Sequence, residues 1–345
     1  MEKLGFAVIG CGTIGKLPAR VIHANPNAVL VALCDVNEES GTRLAEELNC
    51  KYYKDYMDAL NDSEIQAVSI CLPSGMHAAI TIAAANAGKH IICEKPIDIE
   101  VSRAEDMVNA AKRNGVQLGV ILQHRFDPPV QLLYKAIEDG RLGKPLWGAA
   151  RTIWYRDNAY FANPWRGTWA FDGGGALINQ SIHYIDLLLS VLGDVRSISG
   201  KCRKVLHHQI ETEDVGVANL EFTNGSIGTI EGTTVAYPGL YAELCIFCER
   251  GTMIIRNDEL LFYQLATGKD EEFESLLNPK KANQYSGNPE VDSTSHSKQY
   301  ADFIESIQFG RKPKVTGEDA LKSLQVIKGI YRASEEKREI YLSQE

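Results

Sequence analysis

The 345-residue chain reads as an α/β protein: an N-terminal Rossmann doubly wound parallel sheet, then a C-terminal α/β domain with a large, mostly antiparallel open sheet. Three observations predict this. A glycine-rich turn joins the first strand to the first helix. Short apolar runs then alternate with helical patterns as far as Leu122. Beyond that point strand-like runs follow one another, mostly across short polar turns. The chain is longer than one core usually organises, which predicts two domains, divided at 1–123 and 124–345.

The first strand, Leu4 to Ile9, is an apolar run too short for a helix. It enters Gly10-Cys11-Gly12-Thr13-Ile14-Gly15, and helical spacing starts at Thr13 and runs to Ala24. This is a dinucleotide fingerprint in its proper setting: Gly10 for the tight turn, Gly12 for close approach of a pyrophosphate and Gly15 for packing of helix on strand, with Thr13 and Ile14 between them. A second apolar strand, Ala28 to Cys34, ends at Asp35, 20 residues beyond Gly15, where an acid serves the ribose hydroxyls. Val36, Asn37 and Glu38 supply no base for a 2′-phosphate, so the expected cofactor is NAD rather than NADP.

Strands at Gln66 to Leu72, His90 to Cys93 and Val116 to Leu122 alternate with helices at Glu38 to Leu48, His77 to Ala87 and Val101 to Arg113. Ligands of such sheets lie beyond the carboxyl ends of the strands. Two ends carry chemistry, Leu72-Pro73-Ser74 with His77 after it, and Glu94-Lys95-Pro96. Leu72, Pro73, Glu94 and Lys95 join the expected cofactor contacts. His77 either lies near the cofactor or simply opens its helix.

The second half holds a helix at Pro129 to Glu138, strands at Leu146 to Arg156, Val195 to Lys204, Asp214 to Phe222, Ser226 to Ala236, Ala242 to Cys248 and Gly251 to Ile255, and one long helix at Ala176 to Leu192. Polar, turn-rich sequence from Gly268 to Gln299 reads as an exposed loop before closing helices at Tyr300 to Phe309 and Glu318 to Ala333.

Composition narrows the function classes. With 44% hydrophobic and 23% charged residues and a net charge of -9, the chain has the make-up of a soluble protein without the basic stripe a nucleic-acid surface needs. No apolar stretch matches a membrane span and no signal peptide precedes the first strand, so a cytoplasmic protein is expected. The eight cysteines sit mostly in apolar runs, as buried thiols do in a reducing compartment. Cys245 and Cys248 would point to opposite faces of one strand, and His207 and His208 lack ligands at metal spacing, so no metal site is expected.

Gly10 to Gly15, Glu94-Lys95-Pro96, Gly173-Gly174-Gly175-Ala176-Leu177 leading to His183-Tyr184-Ile185-Asp186, and Val315-Thr316-Gly317-Glu318-Asp319-Ala320 together resemble the Gfo/Idh/MocA family of nicotinamide-dependent oxidoreductases, in order and across nearly the whole chain. The resemblance implies an open second-domain sheet with the substrate site on one face and an oligomer contact, dimer or tetramer, on the other. It also implies that Lys95 and His183 face nicotinamide and substrate. Many members carry an aspartate four residues before the histidine; this chain has Asn179, which cannot accept a proton. The implied activity is NAD-dependent oxidation of a secondary hydroxyl on a sugar, cyclitol or sugar nucleotide. A glycosidase working by transient oxidation and a non-catalytic NAD-binding regulator are the alternatives the family contains.

The residues themselves support this outline. Alcohol oxidation needs a hydride acceptor, a base for the hydroxyl proton and a donor for the forming carbonyl. Asn179, His183 and Asp186 share a face of a regular helix. His183 is assigned as general base, Lys95 as the group that positions and polarises the substrate oxygen, and Asn179 as a hydrogen-bonding orienter. Asp186 either fixes the histidine tautomer or ties to nearby backbone. From Arg151 to Trp169 the chain gathers Trp154, Tyr155, Tyr160, Phe161, Trp165 and Trp169 among Arg151, Arg156 and Arg166. Aromatic faces suit sugar rings or a nucleobase and arginine forks suit phosphate or carboxylate. Tyr160, Trp165 and Arg166 are therefore expected substrate contacts, with a pyranoside or sugar nucleotide favoured over a free cyclitol.

Overall fold

The computed structural model describes residues 2–12, 14–283 and 293–342. The chain forms two compact units, Met1–Gln123 with Val291–Leu321, and His124–Glu290 with Lys322–Glu345. Residues 291–321, read from the sequence as part of the second domain, thus belong by contact to the first.

In the first unit, β1 (Leu4–Ile9), α1 (Lys16–Ala24), β2 (Ala28–Cys34), α2 (Glu38–Leu48), β3 (Lys51–Tyr53), α3 (Tyr56–Asn61), β4 (Ala67–Ile70), α4 (His77–Asn86), β5 (His90–Cys93), α5 (Val101–Arg113) and β6 (Leu118–Val120) build a six-stranded sheet of order β3-β2-β1-β4-β5-β6. Its pairings are parallel. All six residues of β1 are buried, because helices cover both faces of a central parallel strand, which explains its unbroken apolar run. Asn37 starts α2 by accepting a hydrogen bond from the Ser40 amide.

The second unit runs α6 (Pro128–Glu138), β7 (Pro145–Ile153), a π-helical turn (Ala176–Ser181), α7 (Ile182–Leu192), β8 (Val195–Arg203), β9 (Val215–Phe222), β10 (Ile227–Thr233), β11 (Tyr241–Cys248), β12 (Gly251–Arg256), β13 (Glu259–Leu265), α8 (Glu271–Leu276) and α9 (Pro279–Ala282). Then come α10 (Ser293–Gln308), which joins the first unit, α11 (Gly317–Glu336) and β14 (Ile340–Tyr341). The eight-stranded sheet has the order β13-β12-β11-β7-β10-β9-β8-β14. It is antiparallel except for the β7–β10 pair.

One face of this sheet receives the π turn and α7. Strand glycines make the close approach possible: a Cβ on Gly148 would meet Leu188 at 2.7 Å, on Gly216 Leu177 at 2.6 Å, and on Gly232 Ser181 Oγ at 2.4 Å. On the opposite face, strand register aligns Trp147, Phe247, Ile227, Val217, Ile254 and Phe262. There Trp147 stacks on Phe247 at 4.4 Å, and Val217, Ile227 and Phe262 are exposed.

Two expectations need correction. The single regular helix from Ala176 to Leu192 is a π turn followed by an α-helix. The expected loop from Gly268 to Gln299 contains α8, α9 and the start of α10, while its residues 284–292 lie outside the described ones. The two short helices are set by caps rather than by an apolar stripe: Asp270 accepts from the Glu272 and Phe273 amides, and Asn278 from the Lys281 amide.

Candidate active site

The first unit presents a dinucleotide cradle. Gly10 has φ +97°, and a Cβ there would meet Cys71 O at 2.4 Å; one on Gly15 would meet Gly10 O at 1.8 Å. These two glycines are needed for the turn itself. Gly12 is different: it is exposed and nothing lies within 4 Å of an added Cβ, which leaves its backbone open to a phosphate. Ile14 is exposed beside it, and Thr13 lies outside the described residues. Asp35 accepts the Cys11 amide at 2.6 Å through one oxygen and the Asn37 amide at 2.8 Å through the other. The carboxylate is thereby fixed between the glycine turn and the end of β2.

His77 is fully buried and does open α4. Its Nδ1 lies 2.9 Å from Pro96 O and its Nε2 2.9 Å from Leu72 O, so one ring ties the loop after β4 to the turn after β5. Burial holds its pKa below the usual histidine value. Asp98, also buried, accepts the Ala78 amide at 3.1 Å and strengthens the same tie. Leu72, Pro73 and Lys95 are half-buried at these strand ends. Glu94 accepts the Lys95 amide at 3.3 Å through Oε2. Burial pushes its carboxyl up to about 7, against the opposing Lys95 charge. Glu94 Oε1 is buried and finds no hydrogen-bond partner among the described residues. An open glycine backbone, a fixed acid at the ribose position and a buried acceptor awaiting a donor all fit a bound dinucleotide.

The second unit carries the other candidate residues. From Asp172 to Leu189 every residue is buried except Asn179 and His183, which are half-buried. Asn179 lies in the π turn and His183, four residues on, in the first turn of α7, so the two occupy adjoining turns on one side of the segment. Asn179 lines a narrow pocket with Tyr160, Asp172, Gln180, Glu213 and Thr234. Asp186 leaves this group. Arg125 holds both its oxygens at 2.7 Å, and Ser323 Oγ donates to it at 3.2 Å.

Beside the pocket, Arg166 lies 4.3 Å from the Tyr160 ring centroid and 4.7 Å from that of Trp165. Arg156, buried, lies 5.0 Å from Tyr160 and 5.1 Å from Trp154. The Tyr160 hydroxyl oxygen accepts from Gln180 Nε2 at 2.9 Å and from Arg166. Burial, with the nearby Arg166 charge, holds Arg156 below the usual arginine value despite Tyr160. Arg151 plays no part here, since it pairs with Glu231 and Glu243 on the sheet.

A further group was not read from the sequence. His124 Nδ1 lies 2.7 Å from Asp127 and 3.1 Å from Asp258, and its ring packs edge-on to His183 at 4.9 Å. Burial alone would lower the His124 pKa, but the two carboxylates carry it well above the usual histidine value. These three ligand atoms lie within 4.8 Å of one another; the described distances are those of a hydrogen-bonded ion pair, with Tyr184 also donating to Asp258 at 2.9 Å. The signal that could have found His124 was its place directly beyond the carboxyl end of β6. Asp258 had none, because it reaches the group only through the fold.

Family models match both halves of the chain: "Oxidoreductase family, NAD-binding Rossmann fold" over residues 4–122 and "GFO/IDH/MocA C-terminal domain" over residues 130–254. Myo-inositol 2-dehydrogenase of Thermotoga maritima is 27% identical over 98% of each chain. Inositol 2-dehydrogenase of Rhizobium meliloti is 28% identical over 98% of this chain and 99% of its own. The crystal structure of the WlbA dehydrogenase from Bordetella pertussis, in complex with NADH and UDP-GlcNAcA, superposes with a TM-score of 0.89 at 30% identity, covering 100% of this chain and 99% of the other. With both family models matched in order, the chain belongs to the Gfo/Idh/MocA family of NAD-binding oxidoreductases.

Proposed function

We propose that the protein is an NAD-dependent dehydrogenase that oxidises a secondary hydroxyl of a sugar carrying an anionic group, a sugar acid or a nucleotide sugar, with uncharged cyclitols as poorer substrates. The observation that carries the reading is the half-buried Asn179–His183 pair in an otherwise buried segment, opening beside a pocket in a chain with an NAD-binding Rossmann unit. The dehydrogenase relatives that act on inositol, and the one bound to NADH and UDP-GlcNAcA, support the reaction class.

NAD held in the glycine cradle would supply the hydride acceptor for the carbon bearing the hydroxyl. His183 removes the hydroxyl proton as general base, and Lys95 donates to the oxygen as it becomes a carbonyl. Asn179 orients the substrate by hydrogen bonding and holds no proton of its own. The anionic group is assigned to Arg156 and Arg166, two cations brought to one tyrosine ring, a repulsion that a phosphate or carboxylate would relieve. The absence of a base in Val36 to Glu38 supports NAD over NADP. We also place the protein in the cytoplasm, on the strength of eight free cysteines, and as a homodimer or homotetramer built on the open sheet face. Among the described residues no helix is long and apolar enough to cross a membrane.

The test is NAD reduction across inositols, free sugars, sugar acids, sugar phosphates and nucleotide sugars, with wild type, Arg166→Ala, Lys95→Ala and His183→Ala. Lys95→Ala and His183→Ala should each lower kcat by roughly two to four orders of magnitude with NAD affinity intact. Arg166→Ala should raise KM for the anionic substrate. Best activity on an uncharged polyol, unchanged in Arg166→Ala, overturns the anionic assignment. Bond cleavage without net NADH would instead support glycosidase chemistry.

A further inference from the structure

We infer that Glu213, just before β9, is a positioning residue for the reaction: it holds the opening of the π turn so that Asn179 is presented beside His183. The inference rests on the roles proposed above for those two residues.

Three successive backbone amides at the start of this segment end on one residue. Glu213 Oε2 accepts from Gly175 N at 2.8 Å, its backbone oxygen accepts from Ala176 N at 3.1 Å, and its Oε1 accepts from Leu177 N at 2.9 Å. Such amides have no partner within a helix and are ordinarily met by a neighbouring Ser, Thr, Asp or Asn. Here the acceptor lies two residues before β9 and 38 residues after Gly175 in the chain, so the cap fixes where the segment starts relative to the sheet as well as closing its end. Tyr331 donates its hydroxyl to Oε1 at 2.9 Å and sets the carboxylate plane. Side chains are excluded where the clamp closes: a Cβ on Gly174 would stand 2.2 Å from the Tyr331 hydroxyl oxygen, and one on Gly175 1.8 Å from Glu213 O.

At the other end of the turn, Ser181 Oγ donates to Ala176 O at 2.9 Å, five residues back. The π-helical span is thus pinned at both ends, with Asn179 between. Maintaining this costs the protein something, since Glu213 is buried and burial pushes its carboxyl up to about 7 against the amides and hydroxyl that stabilise it. An apolar side chain could fill the same volume without that cost. What it could not supply is two acceptors aimed at Gly175 and Leu177. The carboxylate also lines the pocket, but both its oxygens are already engaged, which leaves it supporting the site rather than acting in it.

The experiment compares Glu213→Ala, Glu213→Gln, His183→Ala and a core control, Phe222→Leu, in the full chain, on the substrate that gives the fastest NAD reduction. The readouts are kcat, KM, NAD affinity by fluorescence quenching and Tm. Glu213→Ala should lower kcat at least tenfold with NAD affinity within about twofold of wild type. Glu213→Gln, which retains one acceptor oxygen, should fall between Ala and wild type and carries the test if Glu213→Ala does not fold. Phe222→Leu should lower Tm while leaving kcat near wild type. Wild-type kcat in the Glu213 variants with an inactive His183→Ala overturns the clamp alone. Wild-type kcat in His183→Ala overturns the roles on which it rests. A kcat loss in Phe222→Leu equal to that in Glu213→Gln at equal Tm overturns the clamp in favour of general destabilisation.

Discussion

Gly175→Ala is the sharpest perturbation of the substrate unit, because its effect can be worked from one distance. A Cβ at this position would lie 1.8 Å from Glu213 O and 3.0 Å from Thr212 Oγ1. Ordinary contact begins near 3.4 Å, so a gap of about 1.6 Å must open between two backbone segments, neither of which has a flexible side chain to yield. The space can come only from separating the π turn from the start of β9. That separation breaks the Ala176 bond to Glu213 O and the Gly175 and Leu177 bonds to its carboxylate. At about 1 kcal/mol each, the loss is about 3 kcal/mol, or a Tm drop of roughly 6–12 °C for a unit of this size. Asn179 moves with the turn, and a displacement of about 1 Å lowers turnover by about a hundredfold. NAD affinity should hold, since the glycine cradle lies in the other unit. The assay is kcat, NAD titration and thermal melting against Gly88→Ala, a residue with φ +70° and no atom within 4 Å of its added Cβ, which should cost stability but not kcat. Wild-type kcat and Tm in Gly175→Ala would refute the reasoning.

Asp35→Ala should weaken NAD binding roughly tenfold to a hundredfold, the worth of a charge-assisted hydrogen bond, and should narrow the preference over NADP; tighter NADP than NAD binding by the wild type in fluorescence titration contradicts the ribose assignment. Glu94 and Glu213 have folded pKa values raised from 4.5 to about 7, so the stability they contribute is full below pH 4.5 and is lost as pH rises through 7. The stability of wild type relative to Glu94→Gln, from urea unfolding, should therefore fall by up to roughly 3 kcal/mol between pH 4.5 and 8; a rise would reverse the sign assigned to Glu94. Trp147→Glu with Ile227→Glu should lower the mass measured by light scattering by at least half, and a monomeric wild type would remove the proposed sheet-face contact.

Much of the first unit was legible because its signals are local. A glycine turn, an acid 20 residues on and apolar runs of strand length are set by neighbouring residues, and β1, β2, α2, β5 and α5 match their expected limits. The substrate segment was legible only in part. Over six residues, Ala-Leu-Ile-Asn-Gln-Ser, side-chain periodicity cannot separate a π turn from an α-helix, and the groups the turn meets, Glu213 and the close strand glycines, are all distant in sequence. Asp186 was grouped with His183 by helical spacing, yet Arg125, 61 residues away, takes its charge. The sequence brings Arg151, Arg156 and Arg166 together among aromatics, but only the fold separates Arg151, neutralised by Glu231 and Glu243, from the Arg156 and Arg166 pair that meets at Tyr160. Polar helices capped by Asp270 and Asn278 escaped because a cap without an apolar stripe looks like a turn.

The return of α10 to the first unit has a bearing on how the chain is made. Tyr300, Phe303 and Ile304 lie in the same hydrophobic core as Phe6, Val8 and Leu33, and Gln299 binds both the Leu122 amide and Val120 O at the last strand of that sheet. When the parallel sheet leaves the ribosome, the helix that completes its core has not been synthesised. At about 5–20 residues per second, the interval before α10 emerges is about 10–40 s. During that time the nascent nucleotide-binding unit carries an apolar cleft open to whatever it meets. The substrate unit as far as α9 is produced within this interval, so most of the second unit is made before the first has its last helix, and the chain returns to the second unit only after Leu321. A chain cut after β6 would keep every glycine and acid of the cofactor cradle and still lack a closed core, which makes an isolated N-terminal fragment a poor minimal NAD-binding module and a natural client for a holding chaperone.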